Sequence, residues 1–327
     1  MTKKALITGI NGQDGSYLSE YLLNIGYDVH GTLKRNSIAE NQTARLNSKT
    51  YNIIKNNLYF ADMTDMSSLL RVIKDVNPDE IYNLAAQSHV KISFDQPVYT
   101  MQATGLGVVN LLETVRLFYP HIKVYQASSS EMFGNSMDED GFQRETTPMN
   151  PVSPYGCAKL LSHSMMRCYR ESYNLFLSTG ILFNHESPRR GTNFVTNKVI
   201  LGAVRIKKGL QKELFLGNLE STRDWGHAKD YVRAMHKILQ LDSPDDFVFA
   251  TGQSHSVREL CNYVFSKLNL NYKDHISTDT RYIRPLELNN LRGDASKFLS
   301  KDTEFKFEYT FEKMIDEMIE FWLSMKE

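Results

Sequence analysis

The stretch TGINGQDG, Thr8–Gly15, sets Gly9, Gly12 and Gly15 three residues apart, after the strand-like run KALI and before a helical pattern. Glycine is needed where a chain turns tightly, where a phosphate approaches the backbone, and where helix and strand pack closely. A helix opening on such a turn offers unpaired N–H groups and the positive end of its dipole to an anion. The bland alternative is a tight βα turn with no ligand. The position of the turn, directly after the first strand of the chain, favours phosphate binding.

Around and beyond this turn, strand-like runs and helical patterns alternate through the first half of the chain. KALITG leads to a helix expected over about Ser16–Ile25 and then to DVHGTL, and LYFADM leads to a helix near Met66–Val76 and then to EIYNLAA. A helix near Ala103–Phe118 precedes KVYQASS, and one carrying Tyr155 and Lys159 precedes FLSTGILF. Strands separated by helices of about 10–15 residues mean βαβ units and a parallel sheet, and right-handed crossovers make it doubly wound. The expected class is therefore α/β, a Rossmann-type doubly wound parallel sheet with a smaller, interleaved α/β substrate lobe. Beyond Phe183, NHESPRRGTNF and RYIRPLELNNLRGD are polar and turn-rich, while DDFVFATG reads as one more strand returning to the sheet. The expected division gives residues 1–183 with 221–252 to the dinucleotide lobe, and 184–220 with 253–327 to the substrate lobe.

Composition narrows the class of partner. Lysine plus arginine equals aspartate plus glutamate at 38 each, which leaves no global charge footprint for nucleic acid or an anionic membrane. No apolar run approaches the roughly 18–20 residues of a membrane span, and the opening MTKKALITG lacks the apolar core of a signal peptide. Cys157, Cys168 and Cys261 are too few and too scattered for a disulfide framework or a zinc site. His163 and His227 stand without metal-like partners in sequence, so no metal is expected. A cytoplasmic protein is the natural reading.

The end of the second strand distinguishes the nicotinamide cofactors. An NAD site carries an acid there, about 20 residues beyond the glycines, to accept from the ribose hydroxyl. Here the only acid, Asp28, opens the strand, whereas Lys34, Arg35, Asn36 and Ser37 close it. Cations at that place bind the additional phosphate of NADP, so NADP is expected.

SPYGCAK places Tyr155 and Lys159 four apart, on one face of a helix. A phenol with a pKa near 10 is a poor base. A neighbouring ammonium favours the phenolate, and the pair can then remove a hydroxyl proton while hydride leaves the same carbon. In QASSSEMFG, Glu131 follows three serines at a strand end. Locally it is either a solvated loop charge or a base.

At these motifs the chain resembles the extended short-chain dehydrogenase/reductases, and within them the GDP-mannose 4,6-dehydratases. The likeness runs nearly the whole length through TGINGQDGSYL, NLAAQSHVKISFD, SSSEMFG, SPYGCAKL, GILFNHESPRRG, NFVTNK, RDWGHAKDYV and HSVREL. The resemblance implies a triad of Ser129, Tyr155 and Lys159, with Glu131 as the dehydratase acid/base. It implies GDP-mannose as substrate, a 4-keto-6-deoxy sugar nucleotide as product, and a place early in the making of GDP-deoxyhexoses. Ser129 stands where threonine is commoner, and Leu286 and Leu288 stand where smaller or β-branched residues are expected.

The cofactor contacts expected on this basis are Gly9, Asn11, Gly12, Gln13, Asp14, Gly15, Arg35, Asn36, Ser37, Asp62, Met63, Leu84, Ala85, Ala86, Tyr155, Lys159, His185 and Arg190. The expected substrate contacts are Ser88, Glu131, Asn184, Val195, Lys198, Gly217, Arg223, Arg284 and Glu287, the last placed to accept from guanine N–H groups. His89 is expected to position neighbouring groups, since the Tyr155–Lys159 pair already supplies the base. In an extended segment residues i and i+2 face one side, which would point Ser129 and Glu131 at one sugar ring. An epimerase or ketoreductase of the same superfamily would need that hydroxyl but not the acid, and a cofactor-binding sensor would need neither tyrosine nor lysine. The family resemblance also implies a homodimer or homotetramer, with residues 35–41 near a neighbouring subunit's cofactor.

Overall fold

The computed structural model describes residues 2–35, 43, 45–279, 286 and 288–325. Its strands are β1 (Lys4–Thr8), β2 (Asp28–Leu33), β3 (Leu58–Phe60), β4 (Glu80–Asn83), β5 (Lys123–Ser129), β6 (Leu177–Leu182), β7 (Asn184–Glu186), β8 (Leu214–Leu216), β9 (Thr222–His227), β10 (Asp246–Phe249), β11 (Ser254–Ser256) and β12 (Ile276–Thr278). Its helices are α1 (Gln13–Asn24), α2 (Ser48–Ile54), α3 (Met66–Val76), α4 (Val90–Asp95), α5 (Pro97–Thr100), α6 (Gly107–Phe118), α7 (Pro154–Tyr173), α8 (Val195–Lys207), α9 (Ala228–Leu239), α10 (Val257–Lys267), α11 (Ser296–Lys301) and α12 (Phe311–Ser324). Seven strands form one parallel sheet in the order β10-β6-β5-β4-β1-β2-β3.

The sheet is apolar on both faces because helices cover both. Side chains alternate along a strand, so Ala5 and Ile7 of β1 join the core under α1 and α9, whereas Leu6 joins the core under α3, α6 and α7. Tyr82 and Ile81 of β4 divide in the same way. Each large aliphatic residue so buried contributes about 1.5–3 kcal/mol.

Three expectations shift. α1 begins at Gln13 rather than Ser16, because Gly12 itself is the N-cap and the glycine turn runs straight into the helix. A wide π-helical turn, Met101–Leu106, occupies the start of the segment expected as one helix from Ala103. The lobe boundary at residue 221 also divides a sheet: β9 falls on the dinucleotide side, yet it pairs with β7 and β11 from the other side. Only after β9 does the chain return to the main sheet, with α9 packing against α1 and β10 pairing with β6. A second core, built mainly from α8, α10 and α12, lies beneath this three-stranded sheet. No described helix is long and apolar enough to cross a membrane.

Candidate active site

A cleft of about 950 Å³ lies at the carboxyl ends of β1, β4 and β5, lined by both lobes. Its floor is the glycine turn. A Cβ at Gly15 would stand 2.5 Å from the Gly9 carbonyl oxygen and 2.6 Å from Ile10 Cα, so only glycine lets α1 start so close to β1. The Thr8 hydroxyl accepts from the N–H groups of Leu84 and Ala85, each at 3.1 Å, and donates to Asn83 Oδ1. That knot ties the ends of β1 and β4 together beneath the cleft.

The segment after β6 is clasped to this floor. His185 Nε2 meets Asp14 Oδ2 at 2.8 Å, and its Nδ1 donates to the Phe183 carbonyl at 2.8 Å. Gln13 donates to the His185 carbonyl and accepts from the Ser187 hydroxyl. Burial by itself would raise the Asp14 pKa, but the His185 charge and hydrogen bond outweigh it and hold the carboxyl below its ordinary range. Burial would likewise lower His185, and the Asp14 carboxylate reverses this and raises it. Each group therefore favours the charged form of the other. Arg190 in turn contacts Glu186 at 3.2 Å and lies 3.7 Å from the centroid of the Phe194 ring.

Opposite the clasp stand the residues expected to react. β5 ends at Ser129, and Ser130–Met132 form a 3-10 turn capped by the Ser129 hydroxyl, which accepts from Glu131 N–H at 3.3 Å. The extended geometry expected to align Ser129 with Glu131 is thus replaced by a tight turn, because the serine hydroxyl satisfies a backbone donor that a strand would have left to a neighbour. Both residues nevertheless line the cleft and both are buried. α7 opens at Pro154 on an N-cap from Ser153, whose hydroxyl accepts from Gly156 N–H at 3.0 Å. A Cβ at Gly156 would lie 2.8 Å from the Glu131 carbonyl, so this glycine brings Tyr155 against the turn. Tyr155 shares a hydrogen bond with Ser129 and feels the Glu131 charge.

Lys159 lies one turn on. Its Nζ donates to the Ala127 carbonyl at 2.6 Å and stands 5.8 Å from the Tyr155 ring centroid. Burial pushes its ammonium down to about 8, with Asp14 pulling against that. Without the cofactor's positive ring, the Tyr155 phenol is not drawn toward the phenolate. Burial raises the Tyr155 pKa well above its ordinary value, and the Ser129 bond and the Arg190 charge only partly offset this. A buried phenol resists ionisation because burial disfavours its charged form.

The other expected contacts sort cleanly. Gly9, Asn11, Gly12, Gln13, Asp14, Gly15, Asp62, Met63, Leu84, Ala85, Ala86, His185 and Arg190 line the cleft, as do Ser88, Asn184, Val195, Lys198, Gly217 and Arg223. Arg223 is buried and braces β9 against the following segment, donating to the carbonyls of Thr222 and Leu288. Leu288 is buried and Leu286 exposed. Asn36, Ser37, Arg284 and Glu287 lie outside the described residues. Arg35 is exposed and does not line the cleft, whereas Thr32 and Lys34 do. Alternation along the end of β2 is the reason, and it could have selected Lys34 from sequence. Lys34 reaches Asp62 at 3.1 Å and the Tyr99 hydroxyl at 2.5 Å. Tyr99, Lys91 and Glu186 also line the cleft and were not singled out from the sequence. His89 lines it too and caps α4, with Nδ1 accepting from Ile92 N–H at 3.3 Å.

A family model described as GDP-mannose 4,6 dehydratase matches residues 6–318. The GDP-mannose 4,6 dehydratase 2 of Arabidopsis thaliana is 50% identical over 330 residues, covering 97% of this chain and 87% of the relative. The GDP-mannose 4,6 dehydratase of Cricetulus griseus is 44% identical over 340 residues, covering 97% and 91%. Among solved structures, the UDP-glucose 4-epimerase of Thermus thermophilus, in complex with NAD, shares the fold with a TM-score of 0.83 at 23% identity, covering 98% of this chain and 99% of that one.

Proposed function

The chain belongs to the GDP-mannose 4,6-dehydratase family, and we propose how its cleft turns GDP-D-mannose into the 4-keto-6-deoxy sugar nucleotide with loss of one water. The observation that carries the reading is Glu131: a carboxylate buried in the same wall as Ser129 and Tyr155 and close enough to act on the phenol electrostatically. A 4-epimerase or ketoreductase has no use for an acid at that place.

The residues present fit a dinucleotide. The Gly15 approach and the uncapped start of α1 suit a pyrophosphate, and Lys34 beside Asp62 suits the adenosine end with its extra phosphate. We infer NADP on that ground; a phosphate-dependent preference over NAD, lost in Lys34→Met, tests it. When bound, the nicotinamide supplies the hydride exchange, withdrawing hydride from C4 and returning it at C6, so that none is consumed overall.

The chain's own groups move the protons. Ser129 orients the sugar O4, and Tyr155 takes the O4 proton, with Lys159 holding positive charge beside it. The C4 ketone acidifies the hydrogen at C5. Glu131 removes that proton and delivers it to O6 as water departs, and as hydride arrives at C6 a proton returns to C5, balanced by the one that Tyr155 took from O4. Asn184, Val195, Lys198 and Gly217 hold the nucleotide sugar from the second lobe, which we take as residues 184–220 with 253–327, and Arg223 holds it from the shared strand β9. We further infer a cytoplasmic homodimer or homotetramer, which light scattering would distinguish from a monomer.

Incubation with GDP-mannose and NADP, followed by mass spectrometry, tests the reaction. Loss of one water without net NADPH, abolished in Glu131→Gln while cofactor stays bound, is the expected outcome. An isomer of unchanged mass would replace this reading with epimerisation.

A further inference from the structure

A second buried carboxylate lines the cleft. Glu186, the last residue of β7, is 2% exposed and lies in the wall of the same cavity as Glu131. A carboxylate is costly to bury unless it is both paired and hydrogen-bonded. Glu186 meets both conditions: its Oε2 accepts from the Thr196 hydroxyl at 2.5 Å and lies 3.2 Å from Arg190 Nε. Thr196 is itself fully buried, in the first turn of α8.

Arg190 is fixed on several sides. Glu186 takes the Nε side of its guanidinium, and Cζ stands over the Phe194 ring, 3.7 Å from the centroid. The Arg190 carbonyl accepts from the Asn197 side-chain amide at 2.5 Å, and Asn197 Oδ1 accepts from Trp322 Nε1 at 2.5 Å. The Arg190 N–H donates to the Ser187 carbonyl at 3.0 Å, while the Ser187 hydroxyl donates to Gln13 at 2.7 Å. The arginine is thereby tied to the first residue of α1. Its two Nη groups remain. Neither has a hydrogen-bond partner among the described residues, and the side chain is partly exposed where it lines the cleft. A guanidinium is a planar fork whose Nη pair matches two oxygens of a phosphate.

We propose that Glu186 is a positioning residue: by holding the Nε side of Arg190 it turns the Nη pair toward a phosphate of the dinucleotide at the start of α1. This rests on the dinucleotide reading above and deepens it, since Glu186 acts through another side chain. Thr196 completes the arrangement by fixing Glu186 from α8, the helix whose Val195 and Lys198 line the cleft.

Calorimetry of NADP and, separately, of GDP tests this in the wild type, Glu186→Leu, Arg190→Gln and the double variant, with urea unfolding to check each fold. Glu186→Leu should weaken NADP on the order of tenfold, as misdirecting one charge-assisted phosphate contact does, and leave GDP binding as in the wild type. Arg190→Gln, which keeps a donor for the buried carboxylate, should weaken NADP at least as much. In that background Glu186→Leu should change NADP affinity by no more than about twofold. A side chain that only supports the fold would give losses that add. Thr196→Val, which removes only the hydroxyl bond to Glu186, should show the same coupling on a smaller scale and replaces Glu186→Leu if that variant does not fold. Additive losses would overturn the proposal. Tighter NADP binding in Glu186→Leu would overturn it as well, because Glu186 would then only neutralise Arg190. Weakened GDP with NADP unchanged would overturn it by moving Arg190 to the nucleotide sugar. A wild type that binds neither NADP nor NAD would be a separate result, removing the dinucleotide reading itself and this role with it.

Discussion

Replacing Gly15 by alanine tests the floor of the cleft. The added Cβ would stand 2.5 Å from Gly9 O, 2.6 Å from Ile10 Cα and 2.8 Å from Ile10 C, all backbone atoms of the turn that no rotamer change can move. Restoring an ordinary 3.4 Å contact to the carbonyl oxygen requires α1 to retreat by about 0.9 Å, the difference between 3.4 and 2.5 Å. Overpacking of this kind costs about 1–3 kcal/mol, and the helix propensity gained on replacing glycine returns about 1 kcal/mol. The net loss of stability is thus small, about 0–2 kcal/mol. The effect on the ligand is larger, because the N–H groups at the start of α1 move with the helix. Misaligning one hydrogen bond to a phosphate removes about 1.5–3 kcal/mol, roughly 10- to 150-fold in Kd. Urea denaturation of the apoprotein and calorimetry with NADP separate the two effects. Gly15→Ala protein that binds NADP as tightly as the wild type would refute the assignment of this turn to the pyrophosphate.

Asp14→Asn should destabilise the fold by about 3 kcal/mol, the cost of stranding one partner of a buried ion pair. It should also remove a pH dependence: Asp14's contribution is lost as pH falls through its lowered pKa, and His185's as pH rises through its raised one, so urea midpoints across pH check both. Lys159→Met should abolish turnover yet stabilise the apoprotein at pH 7 by about 1–2 kcal/mol, since burying an ammonium costs more than its one hydrogen bond returns. That gain should vanish as pH rises above about 8 toward 10.5, where the wild-type lysine sheds its proton. His236, half-buried and hydrogen-bonded to the Tyr27 hydroxyl at 3.1 Å, is pushed down to about 4 by burial. Its contribution to stability should be lost as pH falls from 6.5 through 4, and His236→Gln should flatten that part of the urea-midpoint profile.

The sheet, its glycine turn and the pairing of Tyr155 with Lys159 on one helix were legible in the sequence alone. Strand and helix periods are local properties, and the turn at Thr8–Gly15 requires glycine for steric reasons that act within a few residues. Tyr155 and Lys159 were legible because four residues is one helical turn whatever the surroundings. What depended on distant contacts was not legible. The 3-10 turn at Ser130–Met132 forms with Gly156 packed against it, and so the route by which Glu131 reaches the cleft could not be read from an i, i+2 rule. The raised pKa of Tyr155 comes from burial by many residues at once, which no spacing encodes. The clasp of Asp14 on His185 joins residues 171 apart. Local chemistry chose the candidates; tertiary packing decided which charges face one another, because electrostatics acts through space and not along the chain.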